Sequence, residues 1–154
     1  MITVYRITKF RHLATALSGE GSRIAGGRWN SPGLRLIYAA GSVSLATLEI
    51  MVHLEDYALM LNAYAILPVS FPAKLVEKLK PHRLPPGWDS PTAGAASQSV
   101  GDVWAREGRS AVLAVPSVVI PRETNYLINP AHADFSEVKA GEPVGLKVDP
   151  RLIR

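Results

Sequence analysis

The run VSLATLEIMVHL, Val43 to Leu54, constrains what this chain can fold into more than any other stretch. It has helix length, contains no Gly or Pro, and begins beside Ser42 and Ser44, either of which can cap a first turn. At ~100° per residue its apolar side chains point almost all the way round. The pattern predicts a helix enclosed by the rest of the molecule. Glu49 is the exception, projecting between the directions of Leu45 and Ala46, with His53 one turn further along. A carboxylate in apolar surroundings carries a large desolvation cost unless it is paired, protonated or facing water. Glu49 is therefore expected inside the fold or at the floor of a cleft.

Around that helix the chain is punctuated by 12 glycines and 12 prolines, which leaves room only for short strands. Residues 2–7 read as a strand that places Arg6 in a partly buried position, and 10–17 read as a short helix. SGEGSRIAGGRWNSPG, 18–33, reads as a Gly- and Ser-rich loop. Strands are expected over 36–40 and over 62–71, the latter with Pro68 at an edge or bend. Residues 73–79 suggest a short helix, and 81–101 a surface loop leading into a helix around 95–106. An apolar strand over 111–115 is broken by Pro116 and Ser117 before 118–120. A turn-rich stretch follows through Pro121, Asn125 and Asn129 to His132, then short strands near 135–139 and 146–148. Short strands with a few helices in 154 residues indicate one α+β domain spanning 1–154, a mixed, short-stranded architecture.

Composition narrows the chemistry. With no Cys, disulfides, thiol nucleophiles and Cys-zinc sites are excluded, and no metal is expected. No apolar stretch reaches the ~20 residues of a helical membrane span, and the first residues form no signal region, so a cytoplasmic protein is expected. Seventeen Lys and Arg against 13 Asp and Glu leave a net charge of +4, which suits an anionic partner without choosing one.

Arg28 in GGRWNSPG has the chemistry for phosphate: glycines let backbone approach a ligand, and the guanidinium fork matches anionic oxygens. The stretch is neither a Walker loop nor a dinucleotide fingerprint. A plain surface loop with a solvated Arg28 is the alternative. Glu49 is either a functional carboxylate or half of a buried ion pair with Arg6 or Arg28. Ser117 lacks a GxSxG elbow and reads as a turn hydroxyl, Asn125, Asn129 and His132 read as turn formers, and Trp29 and Tyr38 offer flat faces that also suit a core.

Taken together, VYRI (4–7), GGRWNSPG (26–33), IYAAGSVSLATLEIMVHL (37–54) and VPSVVIPRETNYLINPAHADF (115–135) resemble the RES domain, named for an Arg, a Glu and a Ser. The resemblance puts that arginine on Arg28, the glutamate on Glu49 and the serine on Ser117, with Arg6, Tyr38 and Asn125 lining the same pocket. It implies a fold similar to diphtheria-toxin-type ADP-ribosyltransferases and the toxin role of a toxin–antitoxin pair. It also implies NAD as the substrate, split at its nicotinamide–ribose bond by hydrolysis, phosphorolysis or ADP-ribosyl transfer to a protein. Arg28, with Arg6, would grip the pyrophosphate, Glu49 would oppose ribose cation character, Tyr38 would stack on nicotinamide or ribose, and Ser117 would position Glu49 or the ribose. The expected partners are an Xre-type helix-turn-helix antitoxin and a second copy in a homodimer, with no membrane and no direct nucleic-acid contact. Two other readings compete: a ribonuclease-type toxin using two of His12, His53, His82 and His132, and a non-catalytic binding module in which Arg28 and Glu49 pair.

Overall fold

The computed structural model describes residues 1–153. β1 (Ile2–Lys9) and β3 (Tyr64–Phe71) form its longest ladder, paired antiparallel from Ile2 opposite Phe71 to Lys9 opposite Tyr64. Next to β1 lies β2 (Ile37–Ala40), followed by β6 (Thr124–Ile128), β5 (Val112–Pro116) and β4 (Val76–Lys78). On its other side β3 pairs with β7 (Lys139–Ala140) and β8 (Val144–Gly145). The sheet is mixed, because β4 runs parallel to β5 while the other pairs are antiparallel. This is an α+β fold.

One joint in this sheet matters for everything below. β1 and β2 meet at a single register pair, Tyr5 opposite Ala40, whereas β1 is fully laddered to β3 and β2 is fully laddered to β6. The sheet thus divides into two halves that hold together at Tyr5 and Ala40. Past that point the β2 backbone needs another partner, and the Tyr38 carbonyl finds it in the Arg6 side chain, Nη1 donating at 2.9 Å.

α2 (Val43–Met51) follows β2 directly, capped by the Ser42 hydroxyl accepting from the Leu45 amide, and lies across the joint. Leu45 and Ala46 bury there against Ala40, Tyr5, Ile7 and Ile120. On the same face of β2, two residues along, Tyr38 meets a second cluster of Trp29, Leu36, Trp104, Leu113 and Leu127 beneath α3 (Ala95–Glu107). The opposite face holds the main core of Val4, Ile37, Ala39, Leu67, Val69, Phe71, Val112 and Ile128. Trp104 is fully buried, and truncating a side chain of that size to Ala costs about 3–5 kcal/mol.

Several elements differ from the sequence expectation. The helix expected to be enclosed buries only Leu45 and Ala46, while Leu48 is 39% and Val52 59% exposed. The sheet covers one side of the helix, and Met60, Tyr64 and Leu146 pack on Ile50 and Met51 near its end, which leaves Leu48 partly open. That helix also stops at Met51, so the exposed His53 lies beyond its end. Within the 18–33 stretch lies a short helix of six residues, α1 (Glu20–Ala25). Residues 73–79 form a 3₁₀ turn, Ala73–Leu75, followed by β4, and 118–120 form a bend instead of a strand. The turn-rich reading of 121–132 missed β6, and of the expected strands near 135–139 and 146–148 the first is a 3₁₀ turn leading into β7, while β8 ends before the second. Pro68 sits in an internal strand, yet β8 pairs with Ala65 and Ile66 and β7 with Val69 and Ser70, so its missing N–H falls between the two short partners.

Candidate functional site

Glu49 projects from α2 toward the ends of β5 and β6. Its Oε1 accepts from the Ser117 hydroxyl at 2.6 Å and from the Asn125 side-chain amide at 2.7 Å. Ser117 is fully buried at the exit of β5, in a turn where its amide donates to the Glu123 carbonyl (2.9 Å) and its Oγ accepts from the Ile120 amide (3.0 Å). Asn125 sits on β6 between Ala40 of β2 and Val115 of β5, a register that turns it toward the α2 face. Both donors land on one carboxylate oxygen. Among the described residues Oε2 has no hydrogen-bond partner, and neither Arg6 nor Arg28 pairs with Glu49. Glu49 is thus not half of an ion pair; it is held by neutral donors with one oxygen to spare.

Two further polar atoms at this joint are sealed from solvent without a partner, Arg6 Nε and Asn125 Oδ1. Burial alone pushes the Arg6 guanidinium below its ordinary pKa. Each buried atom left unpaired costs about 1–3 kcal/mol.

Arg28 lies at the other end of β2. Its Nη1 donates to the Trp88 (3.2 Å) and Ser90 (2.5 Å) carbonyls, and its Nη2 to the Pro91 carbonyl (3.2 Å). The loop that carries it is held from every side. Asn30, fully buried, donates through Nδ2 to the carbonyls of Ser22, Ser31 and Leu34, each at 3.1 Å. Its Oδ1 accepts from the Tyr38 hydroxyl at 2.5 Å, and that hydroxyl accepts from the Trp29 amide at 3.1 Å. Burial raises the Tyr38 hydroxyl above its ordinary pKa, so it stays a neutral donor at any physiological pH. From α3, Asp102 receives the Ser31 amide (3.0 Å) and hydroxyl (2.5 Å), Ser97 donates to the Arg28 carbonyl (2.8 Å) and Gln98 to the Gly27 carbonyl (3.1 Å). α3 comes so close that a Cβ on Gly101 would lie 1.8 Å from the Trp29 carbonyl oxygen. One on Gly27 would meet the Tyr38 hydroxyl at 2.6 Å.

The structure therefore brings Glu49, Ser117 and Asn125 into direct contact, links Arg6 to Tyr38 across the joint, and ties Tyr38 to the Arg28 loop. The stacking role expected of Tyr38 has to share a side chain whose hydroxyl is already committed to holding that loop. Asn30, Trp88, Ser97, Gln98, Gly101 and Asp102 were not singled out from the sequence. The signal was the spacing of Ser97, Gly101 and Trp104, which puts small and large residues on one helix face. The four histidines do not converge: His12 accepts from Arg11 Nε at 3.3 Å, His132 is engaged by the Gly108 carbonyl and the Asp134 amide, and His53 and His82 are exposed. Among the described residues no group of three or more His, Asp or Glu could hold a metal ion. A surface groove of about 370 Å³ between the outer side of α2 and residues 146–152 includes neither Glu49 nor Arg28.

Known proteins are similar to this chain over nearly its whole length. The RES domain model matches residues 3–149. A protein named Prs ADP-ribosylating toxin from Sphingobium sp. (strain YBL2) is 46% identical over 144 residues, 92% of this chain and 89% of its own. Proteins named Toxin Res are 37% identical in Yersinia enterocolitica serotype O:8 (97% and 98% covered) and 33% in Photorhabdus laumondii (98% and 97%). Among solved structures, the crystal structure of the M. tuberculosis MbcT–MbcA toxin–antitoxin complex matches with a TM-score of 0.79 at 23% identity, covering 98% of this chain and 86% of that one, which shows a shared fold. With nearly its whole length matched by the domain model and by relatives of similar size, this chain belongs to the RES domain family.

Proposed function

We propose that this protein is the toxin of a toxin–antitoxin pair and that it cleaves the nicotinamide–ribose bond of NAD. The observation that carries the reading is the Glu49 carboxylate, anchored through Oε1 by Ser117 and Asn125 with Oε2 left over. Expelling nicotinamide builds positive charge on the ribose, as in the oxocarbenium-like states of glycoside cleavage. A carboxylate already fixed in place opposes that charge without reorganising, and such fixed electrostatic stabilisation is the largest single contribution in many enzymes. Ser117 and Asn125 act as positioning residues, each donating a hydrogen bond to the same oxygen and so setting the plane in which Oε2 faces the ribose.

The remaining residues fit the rest of a dinucleotide. Arg28 supplies N–H donors to the pyrophosphate, and Arg6, bonded to the Tyr38 carbonyl through Nη1, adds a second cation to that side of the ligand. The relative named as an ADP-ribosylating toxin supports NAD as the substrate and a protein side chain as one acceptor of ADP-ribose, with water and phosphate as the others. The neighbouring toxin–antitoxin complex supports a protein antitoxin as partner. An Xre-type antitoxin, a homodimer and a cytoplasmic location, where NAD is abundant, complete the proposal.

The test is purified protein incubated with NAD, with and without phosphate and cell extract, reading free nicotinamide and the ADP-ribose product. Nicotinamide release is expected, and the condition that accelerates it identifies the acceptor. No release under any condition would overturn the reading.

A further inference from the structure

Arg28 is usually thought of as a charge, yet its surroundings specify which of its atoms a ligand meets. A guanidinium has five N–H donors. In this fold the Trp88, Ser90 and Pro91 carbonyls take three of them, both on Nη1 and one on Nη2. What remains is the Nε–H and one Nη2–H, and Nε, which has no hydrogen-bond partner among the described residues, is not sealed from solvent. Nε and Nη2 share one edge of the guanidinium plane, the edge that grips a phosphate with two parallel hydrogen bonds.

We propose that the segment Trp88–Pro91 is a positioning element for the anion site, a cradle of backbone carbonyls that fixes the Arg28 plane and leaves its Nε/Nη2 edge free for the pyrophosphate of a nucleoside diphosphate. The inference rests on the reading of Arg28 as the pyrophosphate ligand and adds the residues that aim it. Carbonyl oxygens suit the task because they accept hydrogen bonds without neutralising the guanidinium charge, as a carboxylate would. Trp88 locks the cradle in place. Its ring stacks on Trp29, the residue next to Arg28, at 5.9 Å between centroids and 26° between planes. It also packs against the cluster of Leu113, Leu127 and Trp104. The opposite end of the loop is tied down by Ser97 on the Arg28 carbonyl. Arg28 is therefore oriented from its main chain by α3 and from its side chain by residues 88–91, two supports more than fifty residues away in sequence. A free arginine side chain loses rotamer entropy on gripping a ligand, and one already held in a cradle has lost it on folding.

Calorimetric titration of the full-length protein with ADP, and with adenosine as the phosphate-free control, tests this. Trp88→Ala is expected to weaken ADP about tenfold while leaving adenosine within twofold, and Trp88→Phe, which keeps a ring on Trp29, to restore ADP to within threefold of the parent. Arg28→Lys keeps the charge but cannot fill the cradle and present two further donors, so it too is expected to lose about tenfold for ADP alone. Should Trp88→Ala fail to fold, the Phe and Lys variants decide the matter. ADP bound equally by parent, Trp88→Ala and Arg28→Lys would overturn the proposal, as would Phe behaving like Ala, or a parent that binds no ADP. Nicotinamide release is read separately in the same preparations. NAD cleavage without ADP affinity overturns only the cradle, and ADP affinity without cleavage overturns only the reaction.

Discussion

The two ends of β2 are built on opposite plans. At one end, a single carboxylate oxygen of Glu49 is held by two side chains, Ser117 and Asn125, and little else in the protein depends on it. At the other, the loop bearing Arg28 is fastened by Asn30, Tyr38, Asp102, Ser97 and Gln98, largely through backbone groups. Sparse support suits a group that must offer a free lone pair to a developing charge. Redundant support suits a guanidinium that must stay in one pose on a loop that has no ladder of its own. The difference implies that changes at the Glu49 end show in turnover, and changes at the Arg28 end show first in stability and affinity.

The largest expected effect would break this contrast if it failed. Glu49→Gln keeps the shape and an oxygen acceptor but removes the charge, and NAD consumption is expected to fall on the order of 10²–10³-fold, with the melting temperature within a few degrees of the parent. A variant that melts far lower would show the corner to be structural after all. Asn30→Ala tests the other end. It strips a donor from three part-buried carbonyls and leaves the Tyr38 hydroxyl proton without its acceptor, a loss of about 2–4 kcal/mol expected from urea unfolding. Unchanged stability would mean that the network is redundant beyond what its geometry implies.

Ser117→Ala sharpens the boundary, because this hydroxyl both donates to Glu49 and accepts from the Ile120 amide. A roughly tenfold loss of turnover is expected together with about 1 kcal/mol of stability, and measuring kcat beside the urea midpoint separates the two. The smallest effect is the acid response of α1. Glu20, bonded by Arg23 and then by Arg35, has its carboxyl drawn down to about 2. A depressed carboxyl contributes stability at pH values above about 4.5 and loses it as pH falls toward 2. Glu20→Gln is expected to flatten that acid limb slightly while leaving stability near pH 7 almost unchanged, as for other exposed ion pairs.

How much of this was legible beforehand varies with the kind of signal. The alternation of Ile2–Ile7, the apolar run at 111–115 and the Gly-free stretch after Ser42 each mark their element, because local patterning and capping act within a few residues. β6 was not legible. Thr124, Tyr126, Leu127 and Ile128 suit a strand, but flanking Pro121 and Pro130 and the polar Asn125 read as turn, and only pairing on both sides with β2 and β5 overrides that. The 73–79 segment failed for a similar reason, since parallel pairing with β5 claims Val76–Lys78. Asn30 was not singled out because nothing local reveals that it will be fully buried.

By itself the sequence determined the class of the fold, the isolated acid on an apolar helix, and, through resemblance, which arginine, glutamate and serine to look at. Those follow from periodicity, composition and motif, all of which act along the chain. Tertiary structure alone decided that Glu49 meets Ser117 and Asn125 and not an arginine, that the helix ends at Met51 and leaves Leu48 partly uncovered, and that residues 88–91 hold Arg28. Hydrogen-bond partners and covered faces are set by distances through space, and here the sheet's division at Tyr5 and Ala40 sets those distances.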